Sequence, residues 1–203
     1  MPFVRSGDRL PTDFSRVRVP VASRVRSSFL LSSRAMLREI GVYDRYVTLL
    51  TPEDRQALDA VVPGWMPVSL IRRHYQACDA LSLAQEQMLY LGKCLYRRMH
   101  EPVFGIAVRL AGELGVTPWT LAEQAVRMWH RAFDGGDILV EQLGPKEARF
   151  ELLGFPYVDI PYCRVAWRGI LLGGTELFSR RAYVNESERR GGPNTIVYRL
   201  SWA

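Results

Sequence analysis

The segment 165–181, VAWRGILLGGTELFSRR, contains three glycines within an otherwise apolar run. On a helix that starts near residue 161, one row holds Tyr162, Ala166, Gly169 and Gly173, while polar side chains are confined to a narrow third row. A helix that is apolar over most of its circumference is packed on two sides. The segment therefore predicts a buried helix that lies between two layers of structure.

The glycines of this helix need an explanation, because each costs about 0.5–1 kcal/mol relative to alanine in a helix interior. Neither the Gly-x-x-x-x-Gly-Lys-Ser/Thr nor the strand-associated Gly-x-Gly-x-x-Gly phosphate-binding pattern is present. The row Ala166–Gly169–Gly173 instead favours a smooth groove in which a second backbone packs closely. An alternative is that this groove also forms part of a ligand pocket.

The sequence before residue 136 predicts a helical array joined by short turns. Thr51 followed by Pro52 is a favourable helix start, because threonine caps the first turn and proline fits the first helical position. Ser82 and Gln85 have the spacing of a capping box. Helices are predicted to begin near Ser27, at Thr51–Pro52, near Met66, at Ser82, after Pro102 and at Thr117–Pro118.

The sequence on either side of the glycine-containing helix predicts two β-hairpins. Residues 137–155, DILVEQLGPKEARFELLGF, indicate two strands around a Gly-Pro turn. Residues 180–203, RRAYVNESERRGGPNTIVYRLSWA, indicate two more around a Gly-Gly-Pro turn. The predicted fold class is therefore α+β, with a helical array packed on a four-stranded antiparallel sheet (ββ-α-ββ) and the glycine-containing helix across it.

The predicted organisation is a basic extended arm, 1–26, followed by a single domain, 27–203, with a helical part at 27–135 and a sheet part at 136–203. The net charge is +6. The arm supplies six arginines and only two aspartates, so most of this charge lies there. Alternating Arg and Val predict an extended segment, and Pro20 argues against a central strand. The arginine content of the arm has two possible explanations, biased codon usage and a function of the arm itself.

Several stretches of the second half resemble known families. The tail GILLGGTELFSRRAYV with NTIVYRLSWA resembles the end of the myxobacterial domain-of-unknown-function 2378 family. The segments RMWHRAFDGGDILVEQ and ARFELLG resemble the approach to its sheet, and the arrangement is similar to haem–nitric-oxide-binding and V4R ligand-binding domains. The resemblance covers roughly residues 27–203 and implies a sensor-like α+β fold with no established activity.

The chain departs from these families at their functional motifs. Haem–nitric-oxide-binding domains carry Tyr-x-Ser-x-Arg for the haem propionates, and the nearest match, YVNES at 183–187, has Asn in place of Ser. V4R domains often carry cysteines near their end, where this chain has only Cys163. We therefore expect no haem and no other cofactor.

Candidate ligand-pocket residues lie on the glycine-containing helix and at the end of the last helix of the array. His130 could be an axial haem ligand, or a cation that interacts with the last carbonyls of its helix, and the missing propionate motif favours the second role. The predicted pocket residues are Tyr162, Ala166, Gly169, Gly173, Trp129 and His130.

A zinc site is a weaker hypothesis for the helical array. His74 and Cys78 are four residues apart on a predicted helix, with Cys94 and His100 further along. No Cys-x-x-Cys or His-x-x-x-His pattern accompanies them, so a buried structural cysteine beside a half-exposed histidine is the preferred interpretation. We expect no metal.

The sequence contains no recognisable catalytic motif, and we expect a protein that is not an enzyme. An odd, widely spaced set of three cysteines, no apolar leader and no apolar run of membrane-spanning length predict a cytoplasmic protein. The expected function is a regulatory or sensor-like module that binds a small apolar molecule or a protein. One alternative is a homodimer without ligand, anchored by tryptophans such as Trp65, Trp119 and Trp202. The second alternative is an arginine-rich arm that binds nucleic acid. The lack of a helix-turn-helix disfavours it.

Overall fold

The computed structural model describes residues 19–98, 117–187 and 193–203. The first 18 residues of the predicted arm, the helix expected after Pro102, His100 and residues 188–192, which include both glycines of the predicted Gly-Gly-Pro turn, lie outside the described residues.

The helices come mostly before the large sheet in the chain. In chain order they are α1 (Ser28–Glu39), α2 (Tyr43–Thr48), α3 (Pro52–Asp59), α4 (Val68–Ala80), α5 (described over 85–98), α6 (Pro118–Ala132) and α7 (Pro161–Thr175). The strands are β1 (Arg24–Arg26), β2 (Trp65–Pro67), β3 (Phe133–Asp134), β4 (Asp137–Gly144), β5 (Glu147–Leu153), β6 (Ala182–Glu186) and β7 (Thr195–Trp202).

The large sheet has four antiparallel strands in the order β4-β5-β7-β6, and it confirms the predicted fold class. Each predicted hairpin supplies two adjacent strands, and the hairpins join where β5 pairs with β7. Side chains that alternate along these strands form one buried face, which includes Val140, Phe150, Leu152, Tyr198 and Leu200. The α7 helix packs on this side, where the Tyr198 hydroxyl donates to the carbonyl oxygen of Arg164 at 2.8 Å.

A second, three-stranded sheet in the order β2-β1-β3 was not predicted. Its middle strand is β1, so the expectation that Pro20 keeps this segment off a central strand is wrong. Pro20 lies four residues before β1 and leaves every ladder N–H in place. Its own carbonyl accepts from the Gly136 N–H at 2.8 Å. Val25 at the centre of β1 is fully buried, so the end of the predicted arm is part of the packed structure.

The helix starts show which local signals the chain uses. The Thr51 hydroxyl accepts from the Asp54 N–H at 3.1 Å, which confirms the predicted cap of α3. The capping box predicted from Ser82 is wrong, because Ser82 has a φ of 51° in the turn that ends α4. The α5 helix begins later, and the Gln87 side chain accepts from the Ala84 N–H at 3.0 Å.

The glycine-containing helix α7 lies between the large sheet and the helical array, as predicted. Its beginning is capped from α4, since the Asp79 carboxylate accepts from the Tyr162 N–H at 2.7 Å. On the sheet side, Arg164 pairs with Glu186, and the Arg168 guanidinium donates to the Val184 carbonyl at 3.1 Å. The polar row of α7 therefore attaches this helix to β6.

The opposite row of α7 contacts the backbone of α5 directly. A Cβ built on Gly169 would lie 2.3 Å from the Leu89 carbonyl oxygen, and one on Gly173 would lie 2.9 Å from the Lys93 Cα. The contact is reciprocal, because a Cβ on Gly92 would lie 2.1 Å from the Ala166 carbonyl oxygen. The geometry supports the interpretation of these glycines as a close helix–helix contact.

We expect Gly169→Ala to destabilise the protein, although alanine has the higher helix propensity. The added methyl group meets backbone atoms of α5, which move only if the two helices separate, and overpacking of this kind costs about 1–3 kcal/mol. Urea unfolding of the two proteins measures the difference. Gly144→Ala is the control, because its Cβ would meet nothing closer than 3.8 Å. An increase in stability for Gly169→Ala would contradict the close contact.

Candidate ligand-binding cavity

An apolar cavity of about 340 Å³ lies between α6, α7 and the buried face of the large sheet. The start of α1 and Tyr96 of α5 complete its wall. The described lining residues are Arg26, Ser28, Phe29, Tyr96, Ala125, Met128, Trp129, Arg131, Ala132, Ile138, Phe150, Trp167, Ile170, Leu171, Thr175 and Leu200. Most of them are aliphatic or aromatic, so the interior of the cavity favours an apolar molecule.

Aromatic rings form one wall of the cavity. The rings of Trp129 and Trp167, from α6 and α7, have centroids 5.9 Å apart, and Phe29 lies 6.4 Å from Trp167. Phe133 stacks behind Trp129 at 4.4 Å. The Trp129 indole N–H donates to the Gly135 carbonyl at 3.1 Å, so its polar atom is satisfied outside the cavity. The wall is therefore held in place by packing from both sides.

The polar groups of the lining are few and unevenly placed. Thr175 is fully buried, and its hydroxyl donates to the Leu171 carbonyl at 2.8 Å within α7. The exposed residues of the lining are Arg26, Ser28 and Arg131, so the cavity meets solvent beside them. Among the described lining residues there is no aspartate, glutamate, histidine or cysteine. The cavity is thus apolar within and positively charged at its mouth.

The two arginines at the mouth are brought together by the small sheet. The Arg26 Nε donates to the Arg131 carbonyl oxygen at 3.3 Å, which connects β1 with the last turn of α6. The Arg26 guanidinium carbon lies 4.2 Å from the centre of the Trp65 ring. No carboxylate in the described part of the chain forms an ion pair with either arginine. Their charges are therefore available to a ligand.

The structure separates the six residues predicted for the pocket. Trp129 lines the cavity. Tyr162 and Ala166 line a much smaller space of about 20 Å³ on the other side of α7, and Gly169 and Gly173 face α5. The wall contributed by α7 comes instead from a neighbouring set of residues, Trp167, Ile170, Leu171 and Thr175.

His130 lies outside the cavity. Its side chain is half-exposed, and Nε2 is 3.4 Å from a carboxylate oxygen of Asp137 at the start of β4. It occupies the last turn of α6, where a cation interacts favourably with the helix dipole. This position supports its interpretation as a C-terminal cation of the helix.

The His74–Cys78 pair is buried and forms hydrogen bonds within the protein. One ring nitrogen of His74 is 2.8 Å from the Tyr46 hydroxyl and the other is 2.9 Å from the Ser33 hydroxyl. The Cys78 Sγ lies 3.6 Å from His74 Nε2, and burial raises the pKa of this thiol far above its usual value. The expectation of a half-exposed histidine is wrong, because His74 has no exposed surface. No cluster of three potential metal ligands occurs within residues 19–98, 117–187 and 193–203.

The tryptophans that suggested an interface have different environments. Trp119 packs edge-on against Trp202 with ring centroids 4.8 Å apart, and its indole N–H donates to the Pro145 carbonyl at 2.9 Å. Trp202 is buried at the end of β7, so this pair holds α6 on the large sheet. Trp65 is exposed beneath Arg26.

Solved structures of H-NOX proteins share this fold. An unliganded Fe(II) H-NOX protein mutant from K. algicida aligns with a TM-score of 0.63 and 10% identity, covering 88% of this chain and 96% of that one. An oxygen-binding H-NOX domain related to soluble guanylate cyclases aligns with a TM-score of 0.55 and 12% identity, covering 87% and 94%. A T. tengcongensis H-NOX mutant has a TM-score of 0.55 and 14% identity, covering 87% and 96%.

Sequence comparison gives no further relationship: no family model and no curated protein matches the chain. The structural similarity therefore shows the fold alone. Within the described ranges, no helix has the length and apolar character that crossing a bilayer requires.

The described residues do not fit a haem iron centre. The lining lacks the histidine and cysteine that commonly hold haem iron, and both ring nitrogens of the buried His74 already have hydroxyl partners. Met128 and Tyr96 are the lining side chains of other known ligand types. The described lining therefore offers mainly apolar contacts and neither a histidine nor a cysteine as an iron ligand.

The burial of His74 predicts a stability that depends on pH. Burial, and then the charge of Arg34, lower the pKa of His74 from 6.5 to about 3. Between these pH values the unfolded chain binds a proton that the folded protein excludes, so stability falls as the pH falls. The slope is about 1.4 kcal/mol per pH unit once the pH is well below 6.5.

We expect His74→Gln to remove this contribution between pH 6.5 and 5. Urea unfolding at several pH values measures the slope for each protein. The parent protein, measured under the same conditions, is the control. Equal slopes for His74→Gln and the parent would show that His74 is not responsible.

Proposed function

We propose that this protein is a non-catalytic, cytoplasmic regulatory or sensor-like module that binds a small apolar molecule in the cavity between α6, α7 and the large sheet. The cavity itself carries the proposal. Protein interiors are close-packed, and a void of this size forfeits the contacts that its lining would otherwise make. A ligand restores those contacts, so its binding stabilises the fold that surrounds it.

The volume of the cavity suits a small organic molecule. A dry cavity of about 150 Å³ lined by apolar side chains binds benzene, and ligand pockets usually begin at about 300 Å³. The cavity of about 340 Å³ therefore accepts a molecule larger than one aromatic ring. We propose that Trp129, Trp167 and Ile170 contact it, because they supply the wall from both helices.

The fold and the chemistry of the cavity support a binding role rather than catalysis. The structurally similar proteins are H-NOX domains, one of which is described as oxygen-binding. The described lining lacks the carboxylates, histidines and cysteines that serve as general acids, bases or nucleophiles in most enzymes. A relationship with the domain-of-unknown-function 2378 family forms part of this proposal and rests on the stretches quoted above.

The two alternatives make different demands on the molecule. A homodimer without ligand requires no cavity, and the observed void favours the ligand-binding role over it. Sedimentation over a range of concentrations distinguishes the two.

A nucleic-acid-binding arm requires arginines that are free to contact phosphates, whereas Arg24 is held by Asp134 at 2.6 Å. Deletion of residues 1–18 tests that alternative through the salt dependence of any binding.

We expect native mass spectrometry of the full chain, purified from its own host, to detect a retained small apolar molecule. The Ala125→Phe variant, produced in the same way, should lack it, because the added ring occupies the cavity from α6. Filling an empty cavity also raises the stability of the ligand-free protein, by about 0.5–2 kcal/mol. Thermal unfolding after removal of the ligand measures this change.

Ala122→Phe is the matched control for this experiment. Ala122 lies nearly one turn earlier on α6, is buried and does not line the cavity. The same substitution should overpack the core there and lower stability by about 1–3 kcal/mol. Retention of the same molecule by Ala125→Phe and the parent would place the ligand elsewhere and contradict the proposal.

A further inference from the structure

We infer that the ligand of this cavity is amphipathic, with an apolar body inside the cavity and one carboxylate or similar acidic head group held at the mouth by Arg26 and Arg131. This inference rests on the proposed function and adds the chemical class of the molecule. It depends on three features of the mouth: the charges there, the absence of carboxylate partners for them among the described residues, and the apolar wall immediately behind them.

The first feature is a pair of positive charges at one place. Arg26 reaches the mouth from β1 and Arg131 from the last turn of α6, and the Arg26 Nε donates to the main-chain carbonyl oxygen of Arg131 at 3.3 Å, which joins the two segments. The Trp65 ring, 4.2 Å from the Arg26 guanidinium carbon, supports that side chain from below. Both side chains line the same cavity, so an anion at its mouth lies in the field of two positive charges.

The second feature is that these charges lack carboxylate partners within the described part of the chain. Arg24, which is two residues before Arg26 on the same strand, provides the contrast. The Arg24 guanidinium donates to the Asp134 carboxylate at 2.6 Å. Arg24 does not line the cavity. The small sheet therefore neutralises one arginine of β1 and leaves the other at the mouth.

The third feature is the change in chemistry over a short distance. Behind the two arginines, the described lining contains no acidic residue, and the buried hydroxyl of Thr175 is used within its own helix. An ionised head group inside this cavity would lose its hydration without compensation, so it must remain at the mouth. The apolar body then extends inward against Trp129 and Trp167. A neutral apolar molecule would leave both arginines unused.

The test compares two probes with the same chain, decanoate and 1-decanol, on the full-length protein at neutral pH. Changes in tryptophan fluorescence report binding, because Trp129 and Trp167 line the cavity, and calorimetry gives the dissociation constants. We expect decanoate to bind about fivefold or more tightly than 1-decanol, a ratio that corresponds to an ion pair near the surface. Added salt should weaken the binding of decanoate and leave that of 1-decanol unchanged.

Arg131→Gln identifies the groups responsible. We expect it to weaken decanoate binding about twofold to fivefold, because Arg26 remains at the mouth, without affecting 1-decanol itself. Arg127→Gln is the matched control, because Arg127 is an exposed arginine on the same helix that does not line the cavity. It removes the same charge and should leave the affinity for both probes unchanged. Arg131→Lys, which retains the charge, should recover most of the affinity for decanoate.

The outcomes separate this inference from the proposed function. If both probes bind equally and Ala125→Phe abolishes both, the cavity binds apolar molecules and the acidic head group is wrong. An equal loss of decanoate binding in Arg127→Gln and Arg131→Gln also overturns the inference, because general electrostatic attraction would then explain the preference. If neither probe binds to the ligand-free parent, both the inference and the proposed function fail.

Discussion

The close contact between the backbones of α5 and α7 is the constraint on which the remaining structure depends. With no side chains between Gly92 and Gly169, the two helices approach until main-chain atoms touch, and they cannot come closer. This contact fixes the rotation of α7 about its axis. Trp167 and Ile170 consequently face the cavity, while Arg164 reaches Glu186 on β6. One contact therefore determines both the attachment of the sheet and the shape of one cavity wall.

The sequence predicts the large sheet and most helices because their signals are local. Thr51 before Pro52 marks a helix start wherever it lies in the fold, and alternating strands on either side of a turn predict their own partners. The small sheet lacks such signals. Its strands have three, three and two residues, and β1 pairs with segments that lie about 40 and 110 positions later. Ser82 shows a related difficulty, because the end of α4 and the start of α5 compete for the same short segment.

The site was predicted less completely than the fold, for a reason visible on α7. The glycines of α7 predict a groove because glycine is unusual in a helix. A residue without a side chain, however, suits contact with another backbone rather than with a ligand. The residues that line the cavity, Trp167 and Leu171 among them, are ordinary core types, and their role depends on a void that only the packing of α6 and the sheet creates. Arg26 and Arg131 become neighbours only through the pairing of β1 with β3. The fold is thus predictable from local sequence patterns, whereas the cavity depends on contacts between segments that are far apart in the chain.

The position of β1 at the centre of the small sheet has a consequence for synthesis of the chain. Its partner β2 follows within about 40 residues, but β3 is 110 residues away, which takes on the order of ten seconds at about 5–20 residues per second. During that interval β1 has one open edge, and its centre is Val25, which is fully buried in the finished protein. Arg24 and Arg26 flank this valine as charged gatekeepers that discourage pairing with another nascent chain. In the finished protein Arg24 binds Asp134 and Arg26 lines the mouth of the cavity, so each arginine has one role during synthesis and another in the fold.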